Sequence, residues 1–183
     1  MIHIEDNFFT EEEFKEIKEE VKLLYKFRKG PDQTGTATHQ GFNLKKTGQG
    51  VFLYELYYDP KESPILKYYK KIFNKEFTDK LVKEHILFKH IKRSTYNNVL
   101  LNYYNNSEEY KPHTDDTCYT ALVMLKVGEI QGGDLEFPEL KQTVKFKENR
   151  LVLFPGCIDH YAHKTICNDD SYRVTLANFI NYK

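Results

Sequence analysis

Tyr110-Lys111-Pro112-His113-Thr114-Asp115, followed after a short gap by Tyr119-Thr120-Ala121-Leu122-Val123-Met124-Leu125-Lys126, decides the architecture of this chain. Both stretches are too short for a typical helix. They are rich in aromatic and apolar residues and are separated by the turn former Asp116, which reads as two strands. The same layout continues downstream through Asp134 to Phe137, Thr143 to Phe146, Leu151 to Phe154, Tyr161 to Ile166 and Tyr172 to Ile180. Breaks fall at Gly128, Gly132-Gly133, Pro138, Glu148-Asn149, Pro155-Gly156 and Asn168-Asp169-Asp170. With Asn98 to Tyr104 upstream, about eight strands result, enough for two facing sheets whose mouth holds a small ligand.

His113 and Asp115 are two positions apart, and in an extended chain such residues project from one face. One strand end therefore offers an imidazole nitrogen and a carboxylate oxygen to the same point. A third ligand from a distant histidine completes two histidines and one carboxylate on one side of a metal, the pattern of non-haem Fe(II) oxygenases. The His-x-Asp triplet alone is a weak signal, since an exposed strand-to-turn segment with a capping aspartate reads the same way. Both His160 and His163 follow Phe154-Pro155-Gly156 and are candidates for the third ligand.

As an ordered set, Tyr103, Tyr110 to Asp115, Thr120 to Leu125, Gly132 to Phe137, Asn149 to Pro155, His163 and Arg173-Val174-Thr175-Leu176 resemble the prolyl-4-hydroxylase-like branch of the iron(II)/2-oxoglutarate-dependent oxygenases. The resemblance covers roughly residues 98 to 181. It implies a mostly β fold, a double-stranded β-helix (jelly roll, cupin-like) with N-terminal helices packed on one sheet. It also implies that His113, Asp115 and His163 bind Fe(II); His163 is favoured over His160 because its ten-residue separation from Arg173 matches the family. Arg173 is expected to hold the distal carboxylate of 2-oxoglutarate, a task suited to a planar, permanently charged fork. Thr175, on the same strand face, is a candidate second donor to that carboxylate. Tyr103 is expected to touch the cosubstrate, while a further cosubstrate-facing tyrosine of some members is replaced near Met124. The implied reaction is hydroxylation of a C–H bond, of an amino-acid side chain such as proline in a peptide or protein. O2 is co-substrate, ascorbate an accessory reductant, and succinate and carbon dioxide are products. Two other readings remain open: a cupin-like metalloenzyme that does not use 2-oxoglutarate, and a non-catalytic β-barrel binding module.

The first hundred residues read as scaffold. Thr10 and Glu13 form a capping box, Phe9 and Phe14 a hydrophobic staple, and Phe14, Ile17, Val21 and Leu24 recur at helical spacing, predicting a helix over 11–27. Ser63-Pro64 starts a second helix through about Phe77. Residues 79–92 fit helix or strand. Val51 to Tyr58 reads as a strand, and residues 30–50, rich in Gly, Thr and Lys, are expected to form a lid over the substrate.

One domain over 1–183 is expected, with helical support and lid in 1–97 and the jelly-roll core in 98–183. Lys plus Arg number 27 and Asp plus Glu 27, so there is no general basic footprint for nucleic acid. The superfamily's repair enzymes carry a second arginine six residues after the first, where this chain has Phe179. Lys45, Lys46 and Lys70-Lys71 are left as a local basic patch. The acidic start lacks a secretory pattern, no apolar run spans a membrane, and three cysteines without metal-site spacing indicate reduced thiols, so a cytoplasmic setting is expected.

Overall fold

A computed structural model of the chain describes residues 1–39, 43–94 and 96–182. The strands are β1 (His3–Glu5), β2 (Thr38–His39), β3 (Asn43–Leu44), β4 (Gln49–Phe52), β5 (Tyr96–Tyr104), β6 (Tyr110–His113) and β7 (Tyr119–Val127). They continue as β8 (Ile130–Gly132), β9 (Leu135–Phe137), β10 (Gln142–Val144), β11 (Arg150–Pro155), β12 (His160–Ala162), β13 (Thr165–Cys167) and β14 (Tyr172–Asn181). The α-helices are α1 (Glu11–Leu24), α2 (Pro64–Tyr69) and α3 (Lys75–Glu84).

The strands form a six-stranded sheet in the order β1-β11-β7-β14-β5-β4 and a four-stranded sheet in the order β10-β9-β12-β6, a jelly roll with helices on one side. The six-stranded sheet is buried on both faces, and its side chains divide by parity. Val123, Leu125, Val174, Leu176, Val99, Leu101 and Tyr103 pack against Ile17, Val21 and Leu24 of α1, Ile65 and Tyr69 of α2, and Leu81 of α3. Leu122, Met124, Leu100, Val152, Phe154 and Ala177 point the other way, onto Leu135, Phe137 and Val144 of the smaller sheet. Burial on both faces explains why β7 and β14 read as nearly continuous apolar runs rather than alternating ones.

The capping box is present. Thr10 Oγ1 accepts from the Glu13 amide at 3.2 Å, and Glu13 Oε2 accepts from the Thr10 amide at 2.9 Å. With three glutamates in its first turn, the helix starts where the sequence says. It ends at Leu24, and the expected last turn, Tyr25–Phe27, tightens to 3-10 geometry as Tyr25 stacks on Tyr172 with ring centroids 4.3 Å apart. Ser63 caps α2 as expected, but that helix closes at Tyr69, and Asn74 separates it from α3. Residues 79–92 are helical, α3 running into a 3-10 stretch from Ile86 to Arg93.

Two strand expectations are corrected. The aromatic run from Val51 leaves the sheet after Phe52 and enters a 3-10 turn, Leu53–Glu55. Tyr161 to Ile166 is two strands, because His160–Ala162 pairs with β6 and β9 while Thr165–Cys167 pairs with β8 in a separate ribbon. Residues 40–42 of the expected lid lie outside the described residues. The flanks of that segment are pinned by a bridge between Lys46 and Tyr110 and by the antiparallel pairing of Thr38 with Leu44. Lys46 is buried, so it belongs to no surface basic patch. Among the described residues no helix is long and apolar enough to cross a membrane.

Candidate active site

The inner face of the larger sheet and strands β6, β9 and β12 of the smaller one enclose a cavity. Arg173, Thr175, Ala177 and Phe179 of β14 line it, as do Asn102 and Tyr104 of β5, Leu122 and Met124 of β7, and Lys46, Tyr110, His113, Asp115 and His160.

His113, Asp115 and His160 converge, with one ligand atom from each lying within 4.8 Å of the others. Asp115 Oδ1 is 3.7 Å from His113 Nε2, and Oδ2 is 3.5 Å from His160 Nε2. The two histidines are cross-strand partners of the β6–β12 pair, their ring centroids 4.2 Å apart. His163, expected as the iron ligand, is not part of this cluster. An odd offset from His160 turns its side chain to the opposite side of the chain path. There it is more than a third exposed, with its Nε2 2.6 Å from Glu136 Oε2 and its ring 4.2 Å from that of Tyr161. The sequence signal that distinguishes the two is parity with the inward residue Ala162, which outranks loop length.

Local contacts prepare each ligand. His113 Nδ1 donates to the carbonyl of Lys111 at 2.8 Å, and His160 Nδ1 donates to that of Ile158 at 3.0 Å. A carbonyl only accepts, so each Nδ1 carries a proton and Nε2 is the ring atom turned towards Asp115, the one left to meet a metal. Burial, reinforced by His160 and opposed by the Lys111 carbonyl, pushes the His113 pKa down to about 2, which keeps the ring neutral. Tyr110 stacks on His113 at 3.4 Å, and Thr120 Oγ1 donates to Asp115 Oδ2 at 2.5 Å, fixing the carboxylate. The sequence places Thr120 in a strand-like run but says nothing of this bond.

Arg173 stands away from the triad, 1 % exposed. Its guanidinium lies 4.0 Å from the centre of the Tyr104 ring, and Nη1 donates to the Gly133 carbonyl at 2.8 Å. Nε and Nη2 have no hydrogen-bond partner among the described residues. Gly133 has φ +77°, and a Cβ there would lie 2.7 Å from Arg173 Cδ, so the glycine is needed both for its backbone and for the arginine's path. A buried guanidinium with two orphaned donors facing a cavity is the signature of a missing anion. Thr175 lines the same wall, as expected.

Tyr103 does not reach the cavity. It pairs with Val174, whereas Tyr104 pairs with Arg173, so Tyr103 faces the helices and donates its hydroxyl to the Val21 carbonyl at 2.9 Å. The tyrosines lining the cavity are Tyr104 and Tyr110.

The donor set fits a divalent iron: two imidazoles and one carboxylate on one side. The orphaned donors of Arg173 fit the far carboxylate of a diacid.

No protein-family model matches the chain, and no curated protein sequence matches it. Solved structures do. A prolyl-4-hydroxylase from Pseudomonas putida superposes with a TM-score of 0.66 at 13 % identity, covering 100 % of this chain and 92 % of that one. A Trichoplax adhaerens prolyl hydroxylase in complex with a hypoxia inducible factor peptide fragment superposes with a TM-score of 0.65 at 16 % identity, covering 98 % and 83 %. The viral collagen prolyl hydroxylase of Paramecium Bursaria Chlorella virus-1, in complex with 2-oxoglutarate, gives a TM-score of 0.58 at 16 % identity and covers 97 % and 96 %. The chain has the fold of the prolyl hydroxylases within the 2-oxoglutarate oxygenases.

Proposed function

We propose that the protein is an Fe(II)- and 2-oxoglutarate-dependent dioxygenase that hydroxylates a C–H bond of an amino-acid side chain, proline in a peptide or protein being the first candidate. One observation carries the reading. A two-histidine, one-carboxylate cluster shares a cavity with a buried arginine that has no anionic partner among the described residues. The arginine disfavours a cupin-like enzyme without 2-oxoglutarate, which has no use for it. The peptide substrate rests on the Trichoplax structure, which holds a peptide.

Each side chain then has a task. His113, Asp115 and His160 would hold iron through Nε2, a carboxylate oxygen and Nε2, and the cavity that all three line would admit the cosubstrate. Bound there, iron supplies the activation of O2 that converts 2-oxoglutarate to succinate and carbon dioxide and oxidises the C–H bond. Arg173 orients the diacid through its free N–H groups, and Thr175 adds a hydroxyl beside it. Leu122, Met124, Leu135 and Phe179 keep water from the reacting atoms. Residues 30–50 are proposed as the lid, since Thr34, Gly35 and Lys46 already edge the cavity.

The test is anaerobic titration with Fe(II) and then 2-oxoglutarate, followed by succinate assays in air against proline-containing peptides and free amino acids. Stoichiometric uptake of both and peptide-stimulated succinate are expected. Metal uptake without 2-oxoglutarate binding would refute the reading.

A further inference from the structure

The Lys46 ammonium has no chemical task in the proposed reaction, although Lys46 is one of the largest fully buried side chains. Its ammonium donates to Thr34 Oγ1 at 2.8 Å and to Asn102 Oδ1 at 2.9 Å, and stands 5.7 Å from the centre of the Tyr110 ring. Both acceptors are neutral. An ammonium has three N–H groups, so one is left for a further acceptor. Among the described residues no carboxylate pairs with it; the negative charge that acts on it is Asp115, whose oxygens are turned to the two imidazoles and Thr120. A buried ammonium with neutral partners only is costly, and burial lowers its pKa to about 7.

Its place in the cavity is fixed by the sheet. Asn102 pairs with Thr175, two rungs from the Tyr104–Arg173 pair and the next pair on the cavity face, so Lys46 is held beside the position next to Arg173 on that face. At the other end of the same strand face, Thr120 pairs with Phe179 and binds Asp115. Lys46 therefore lies between the guanidinium and the triad. Among the described lining residues Asp115 is the single carboxylate, against two cations. With a divalent metal at the triad and a dianion on Arg173, the cavity still carries one positive charge more than negative.

We propose that Lys46 is a second carboxylate-binding residue of this cavity, set between Arg173 and the metal-binding triad. The inference rests on the reading of the cavity as a diacid site. The carboxylate has two sources with the same chemistry: the oxo-acid end of the cosubstrate, or a carboxylate carried by the molecule that is hydroxylated.

Calorimetric titration of the Mn(II)-loaded protein separates these sources without turnover. The probes are 2-oxoglutarate, succinate, and acetate added over saturating 2-oxoglutarate. Lys46→Met and Lys46→Gln are compared with Lys46→Arg, and thermal midpoints are recorded beside each titration. Expected is about tenfold weaker binding of at least one probe in both neutral variants, partly restored by Lys46→Arg, with a thermal midpoint at or above that of the parent. Weakened 2-oxoglutarate assigns the residue to the cosubstrate. Unchanged 2-oxoglutarate with lost acetate assigns it to the substrate. If the parent takes neither 2-oxoglutarate nor succinate but binds acetate through Lys46, the diacid reading falls and Lys46 stands. The proposal is overturned if the neutral variants bind all three probes as the parent does, or if binding falls only in step with a lowered thermal midpoint.

Discussion

The two faces of β14 differ in kind although they alternate residue by residue. Val174 and Leu176 are fully buried against the helices in contacts that depend on shape alone. Arg173 and Thr175 are almost as buried, yet the arginine keeps donors with no partner. The helix face is complete as it stands, and the cavity face is complete only with a ligand. Burial by itself does not mark a functional residue; burial with unmet hydrogen-bonding capacity does.

The comparison is broken most directly at the triad. His160→Ala is expected to weaken divalent-metal binding more than about 100-fold while His163→Ala changes it less than about threefold, because the His163 ring lies outside the triad, against Glu136 and Tyr161. Metal titrations of both variants check this, and the reverse result would restore His163 as ligand. Next, Leu176→Ala should cost about 2–5 kcal/mol in denaturant unfolding and leave the 2-oxoglutarate affinity of the folded protein nearly unchanged. Arg173→Met should do the opposite, weakening 2-oxoglutarate by about 30-fold or more with metal binding kept and stability equal or higher, since an unpaired buried charge is removed. A Met variant that unfolds like Leu176→Ala would show the arginine to be structural. Thr120→Val, losing the bond that holds Asp115, is expected to lower metal affinity about tenfold.

The smallest effect is in pH. The Lys46 pKa of about 7 is depressed below its unfolded value. Its contribution to stability is therefore full above the unfolded pKa of about 10.4 and is lost as pH falls towards 7, by roughly 1 kcal/mol per pH unit. The ligand-free protein should resist urea better at pH 9 than at pH 7.5, and Lys46→Met should flatten that difference.

The fold was legible in the sequence because β7, β11 and β14 are strong apolar runs bounded by turn residues, and α1 announces itself through Thr10 and Glu13. His113, Asp115 and Arg173 were legible because each falls at a strand end within a fixed order. His160 was ranked below His163 and Tyr104 was passed over for Tyr103 for one shared reason: in each case a family spacing was preferred to strand parity, and an odd offset reverses the face. Lys46 and Asn102 were invisible, since their meeting depends on where an irregular segment packs against the edge of a sheet, which no periodicity encodes. Val51 to Tyr58 failed differently; an aromatic-rich run satisfies strand preference, yet the chain turns after Phe52.

The β6–β12 pairing has a consequence for how the molecule comes apart. His113 and His160 sit opposite each other on strands of only four and three residues, the shorter-stranded side of the roll, where few backbone bonds hold the chain. An ion gripped by both rings and Asp115 is a rivet through that seam. Chelation should then unzip the thin wall first, seen as faster amide exchange in residues 110–113 and 160–162, while β7 and β14 beneath the helices stay protected.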